Sequence, residues 1–125
     1  MLQTNFIVPI YNRKIVIIQG NKEEVQDWYW NKFRVTLDIA DGFEAYSMSD
    51  QDGYYCCFEK DITLYCLYHE IGHIVFDICR DLGILTNSEN AETFLYLQEY
   101  IMRESLKVFN SDDNILEQTF HLNDE

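Results

Sequence analysis

Two histidines four residues apart, with a glutamate directly after the first, form the segment His69-Glu70-Ile71-Gly72-His73. It is the stretch of this chain whose residue types and spacing specify chemistry. On an α-helix, positions i and i+4 lie on one face, so His69 and His73 can hold one zinc ion together. Glu70 then stands beside the metal, placed to act on a zinc-bound water. The chain contains three histidines and uses two of them here. The third, His121, lies in a polar C-terminal stretch and reads as a solvated surface residue.

A catalytic zinc takes three protein ligands and leaves a fourth position for water. The candidate third ligand is Glu92, near the start of the helical segment that follows, which a turn at Gly83 would fold back against the first. Glu99 competes with it, because Glu92, Tyr96, Glu99 and Arg103 share one helical face by their spacing. Glu89 is a weaker candidate, since it suits a helix cap. Zinc would bring the pKa of its water toward ~7. Glu70 would accept that proton during attack on a peptide carbonyl and deliver it to the leaving amine. Tyr96, Tyr100 and Arg103 are candidates to stabilise the oxyanion. Asp77, one turn past His73, reads as solvated, with a supporting role at the metal as the alternative.

The elements that must position these residues are legible from periodicity. Asn5 to Ile10 and Lys14 to Ile18 are β-type runs joined by a turn at Tyr11-Asn12-Arg13. Residues 23–33 suit a short helix with Val25, Trp28 and Tyr29 on its apolar side. Residues 38–42 read as a loop. Phe43 to Ser49 and Gly53 to Glu59 form a second hairpin around Asp50-Gln51-Asp52-Gly53. The second of these strands is a plausible edge on which a substrate peptide could add, with a plain core hairpin as the equal alternative. Asp61 is expected to cap a helix running to about Leu82, with Gly83 as its stop. Its apolar stripe is Leu64, Leu67, Ile71, Ile74 or Val75, Ile78 and Leu82, with His69 and His73 beside that stripe. Thr86-Asn87-Ser88-Glu89 has the capping-box form and opens a helix to about Phe109. The tail beyond is polar and acidic, expected to fray or to dock loosely through Ile115, Leu116 and Phe120.

The segment from about residue 60 to 103 resembles a known group. HExxH with a glutamate some twenty residues later looks like the gluzincin clan of metallopeptidases, whose ligands are His, His and Glu. The HExxH run, then Gly83, then Ala91-Glu92-Thr93-Phe94-Leu95-Tyr96-Leu97 is similar to small phage- and prophage-encoded metallopeptidase-like proteins. The resemblance implies that His69, His73 and Glu92 are ligands and that Glu70 is the general base. Many larger gluzincins carry an acidic residue four positions after the ligand glutamate, supporting a histidine. Here that position is Tyr96, so support must come from another group or a backbone carbonyl.

Composition narrows the remaining classes. The chain has 125 residues, with 22 acidic and 9 basic side chains and a formal net charge of −13. That balance argues against binding a phosphate backbone or an anionic membrane and permits a basic partner. The four cysteines, Cys56, Cys57, Cys66 and Cys79, contain no CxxC pair and read as reduced thiols. Cys56 and Cys57 would point to opposite faces of a strand, and Cys66 and Cys79 would pack as apolar residues. No apolar run approaches ~18 residues, and Met1 to Ile10 lacks a secretory pattern. A cytoplasmic location is expected, that of a bacterial host cell if the chain is phage-derived.

The expected fold is an α+β, minimal zincin-like domain. It has a small antiparallel or mixed sheet packed on the HExxH helix and a second long helix. Residues 1–110 form the single domain and 111–125 the acidic tail. The expected function is zinc-dependent hydrolysis of a peptide bond, with Zn2+ as cofactor and a peptide or protein as substrate. Two alternatives stand beside it. One is a catalytically inactive zinc-containing binding or virion-associated protein. The other is an acidic decoy that occupies a nucleic-acid-binding protein.

Overall fold

In the computed structural model, residues 2–39, 45–60 and 62–109 are described. The elements are β1 (Leu2–Val8), β2 (Arg13–Gln19), α1 (Lys22–Phe33), β3 (Ala45–Ser49), β4 (Tyr54–Phe58), α2 (Leu64–Leu82) and α3 (Ala91–Phe109). Together they form a small α+β domain whose four-stranded sheet has the order β1-β2-β4-β3. The two outer pairs are antiparallel hairpins. The central pair, β2 with β4, is parallel, from Ile15 opposite Tyr54 to Gln19 opposite Phe58. Parallel neighbours need a crossover, and α1 lies between them in the chain. Its capping box is closed by Asn21, whose side chain accepts from the Glu24 N–H at 2.9 Å while Glu24 Oε1 accepts from the Asn21 N–H at 3.1 Å.

Alternation along the central strands sorts the core into two layers. Ile15, Ile17, Tyr54, Cys56 and Phe58 face α2 and α3. Val16, Ile18, Tyr55 and Cys57 face α1, where Val25 and Tyr29 are buried. The adjacent cysteines do therefore separate to opposite faces. The strand over residues 53–59, however, is not a sheet edge. Every residue of β4 is buried and the strand is paired on both sides. Its Tyr-Tyr-Cys-Cys-Phe run is apolar on both faces, the pattern of a strand covered above and below. Among the described strands the edge on that side is β3.

The helix that holds the HExxH segment starts at Leu64, later than Asp61 would place it. Thr63 is the cap, accepting the Cys66 N–H at 3.1 Å, and Ile62 is not helical. Asp61 itself lies outside the described residues. Gly83 ends the helix in the left-handed conformation, φ 72°. Leu67, Ile71, Ile74, Val75, Ile78 and Cys79 form the buried stripe, as periodicity predicts for its middle, whereas the expected end residues differ: Leu64, in the first turn, is exposed and Leu82, in the last, is half-buried. A 3₁₀ turn, Ser88–Asn90, precedes α3 and is capped by Asn87 rather than Thr86, through Asn87 Oδ1 and the Asn90 N–H at 3.1 Å. The helix α3 packs against α2 and β1. The 38–42 loop, Phe43 and Glu44 at the start of the second hairpin, and the tail fall wholly or partly outside the described residues. Among the described residues, no helix is long and apolar enough to cross a membrane.

Candidate active site

The local sequence of α2 puts the two histidines on its outer face. At ~100° per residue, Ile71 and Ile78 in the buried stripe lie about 180–200° around the helix from His69. Both histidines are exposed. They stand opposite the apolar stripe, not beside it, because the stripe is centred on Ile71 and Ile78 rather than on the flank at Ile74. Their Nε2 atoms face each other at 3.1 Å, and the rings meet edge to face with centroids 4.8 Å apart.

That spacing can be tested against zinc chemistry. Two Zn–N bonds of ~2.0–2.1 Å at a tetrahedral angle place their nitrogens ~3.3–3.4 Å apart. The observed pair therefore fits two positions of a tetrahedral site after a shift of a few tenths of an ångström. The two rings also fit a direct N–H···N hydrogen bond, with one nitrogen donating and the other accepting.

Two depressions flank His69. The first, about 570 Å³, is lined by His69, Glu70, Thr63, Tyr65, Cys66 and the first residue of β3, Ala45. Glu70 is partly buried in it. On the inner side, Glu70 and burial together push the Cys56 thiol well above its ordinary range, burial being the larger cause. The second depression, about 430 Å³, lies between α2 and α3 and holds both histidines, with Gly72 between them and Phe94 and Gln98 opposite.

The expected third ligands stand elsewhere. Glu92 is exposed on the first turn of α3. Glu99 pairs with Arg103 on the same helix. Glu89 is exposed in the 3₁₀ turn. Among the described residues, no group of three or more His, Cys, Asp and Glu side chains comes together as a metal site. The oxyanion candidates are also placed apart, since neither depression is lined by Tyr96, Tyr100 or Arg103. Tyr100 packs edge-on against Phe6 of β1 and stacks with Tyr96. His121 lies outside the described residues.

Spacing alone did not single out Phe76, Phe94 and Gln98. The signal available was the i,i+4 step from Phe94 to Gln98, adjacent to the buried Leu97 and Ile101. Asp77 pairs with Arg80 at 3.2 Å. One turn on, Asp81 accepts from the Tyr54 hydroxyl at 2.7 Å, and this hydrogen bond holds the Asp81 carboxyl below the usual carboxylate range. That contact ties α2 to β4. Cys79 is buried in the core and Cys66 is packed against it.

Comparison with protein-family models, curated proteins and solved structures finds no match. The functional reading therefore rests on the residues and their geometry.

Proposed function

We propose that this chain is a zinc-dependent peptidase of the zincin type, working at His69, His73 and Glu70. The observation that carries the reading is the convergence of two imidazole nitrogens, 3.1 Å apart, on the exposed face of α2 beside the depression that holds Glu70. His69 and His73 would hold the metal, and Glu92, with Glu99 as its competitor, would reach it as third ligand only through a turn of α3, since Phe94 and Gln98 face the histidines in this structure. When bound, zinc supplies a Lewis acid that polarises a carbonyl and acidifies water. Glu70 accepts the proton of the attacking water and returns it to the departing amine. The edge strand β3, whose Ala45 lines the same depression, offers backbone groups to an extended peptide.

A zinc site that serves folding alone is the second reading, and the core argues against it. The buried stripe of α2 closes on the sheet from the face opposite the histidines.

The test measures zinc content and cleavage of a random peptide library by wild type and by Glu70→Gln. One zinc per chain in both, with the cleavage rate falling ~10²–10⁴-fold in Glu70→Gln, is the expected result. Zinc without cleavage by the wild type leaves a binding protein. No zinc in the wild type, even when supplied, sinks the metal site. Glu92→Gln and Glu99→Gln, assayed for zinc affinity in parallel, decide the third ligand: the ligand weakens binding and the other does not.

A further inference from the structure

Gly72 sits in the middle of α2, where a glycine lowers helix stability and needs a reason. The fold gives none. A Cβ built at Gly72 meets nothing within 4 Å, whereas one at Gly53 would come within 2.9 Å of the Lys14 carbonyl oxygen. Gly72 lies between His69 and His73 in the second depression. Its missing side chain leaves a recess that reaches the helix backbone beside the two imidazoles.

The walls of that recess are aromatic. Tyr65 is 85% exposed, Tyr68 56% and Phe76 51%. Phe94 reaches across from α3 and meets Phe76 with ring centroids 5.0 Å apart. Large apolar side chains left in water around one recess mark a place where something binds. The charge of the chain selects among occupants. A net charge of −13, with Glu70 at the neighbouring depression, disfavours an acidic group.

We propose that this recess is a recognition subsite for one large apolar side chain, aromatic or branched aliphatic, of a peptide lying across His69 and His73. Gly72 is its floor, and Tyr68, Phe76 and Phe94 are its walls. The inference rests on the peptidase reading for the peptide's course and deepens it by naming the substrate class. An acidic residue at the same position is rejected.

The experiment uses zinc-supplied Glu70→Gln full-length chain and fluorescein-labelled hexapeptides of alanine with one central residue varied among Phe, Leu, Ala and Asp. Affinity is read by fluorescence anisotropy. The Phe and Leu peptides are expected to bind about tenfold or more tightly than the Ala peptide, with the Asp peptide weakest. Gly72→Leu, which fills the recess from its floor, should bring the Phe-to-Ala ratio within about twofold. Tyr68→Ala, at an exposed wall, should lower that ratio in a chain whose core is untouched. Equal binding of all four peptides overturns the proposal, as does a Phe preference that survives Gly72→Leu. Concentration-dependent dimerisation that Gly72→Leu abolishes also overturns it, by assigning the recess to a second copy of the chain. The two readings fail separately. A Phe preference without cleavage by the wild type removes hydrolysis and keeps the subsite, and cleavage without any side-chain preference does the reverse.

Discussion

Replacing His73 with alanine isolates the metal pair from the rest of the fold. The side chain is exposed and belongs to no part of the buried core. Its loss should therefore leave metal-free stability within about 0.5 kcal/mol of wild type, as for surface positions generally. Its effect on zinc should be large. The His69 and His73 nitrogens already stand within a few tenths of an ångström of a tetrahedral pair, so little reorganisation of these two ligands opposes binding. Zinc sites with four protein ligands bind with apparent free energies of about 10–16 kcal/mol, or about 2.5–4 kcal/mol per ligand if shared evenly. Removing one ligand of this magnitude weakens affinity by roughly 100-fold or more. Competition with a chromophoric chelator at fixed pH reads this directly, with thermal unfolding of the metal-free forms as the control. A His73→Ala chain that binds one zinc within threefold of the wild-type affinity refutes the reasoning and places the metal elsewhere. A metal-free variant destabilised by more than about 1 kcal/mol would show that the direct His–His contact is structural.

Four other outcomes follow from the packing. Gly72→Ala should raise stability by about 1 kcal/mol through helix propensity, because the added methyl meets open space. Gly53→Ala should lower stability, because its methyl meets the Lys14 backbone at 2.9 Å; denaturant titration of the pair reads both signs, and equal effects would contradict the local geometry. Burial pushes the Cys57 thiol up to about 12 and holds Cys56 well above its ordinary value of 9.0. In the unfolded chain these thiols release protons near pH 9, while the folded chain keeps them, so the unfolded state binds fewer protons above that pH. Stability is then fully present below about pH 9 and falls toward pH 12, by up to ~1.4 kcal/mol per pH unit for each such thiol; a flat profile over this range, measured by denaturant midpoints, would contradict the burial of the pair. Thr63→Ala removes the side chain that caps α2 and should cost about 1 kcal/mol, with zinc affinity unchanged within twofold.

Much of the fold is legible in the sequence where one physical signal acts alone. The 3.6-residue period of Leu67, Ile71, Ile74 and Ile78 fixes the buried face of α2. The alternation of Ile15 to Ile18 fixes the two faces of β2. Errors arise where two signals compete. Asp61 and Thr63 can both cap a helix, and Asn87 competes with Thr86 at the next one, so the choice depends on where the chain turns. A run such as Tyr54–Phe58 is apolar on both faces, yet which neighbour it pairs with depends on long-range topology. The site divides the same way. The HExxH spacing brings His69 and His73 together because that contact is local to one helix. A third ligand belongs to another helix, and its approach depends on an interhelical rotation that no local pattern encodes. On α3 the residues facing the histidines are Phe94 and Gln98 rather than Glu92.

The parallel join of β2 with β4 has a consequence for the order of assembly. The N-terminal hairpin closes over only a few residues and can form as soon as Gln19 is available. Its partner in the centre of the sheet is Tyr54 opposite Ile15, which closes a loop of about 40 residues. Until that closure is made, α2 has no complete sheet on which to lay Leu67, Ile71 and Ile78. The two imidazoles meet within one helix, but the depression beside Ala45 exists only once β3 and β4 are in place. Changes that slow the β2–β4 closure should therefore delay the completed cleft while leaving early helix formation nearly untouched. In such a chain the pair that could capture a metal forms before the cleft that could use it.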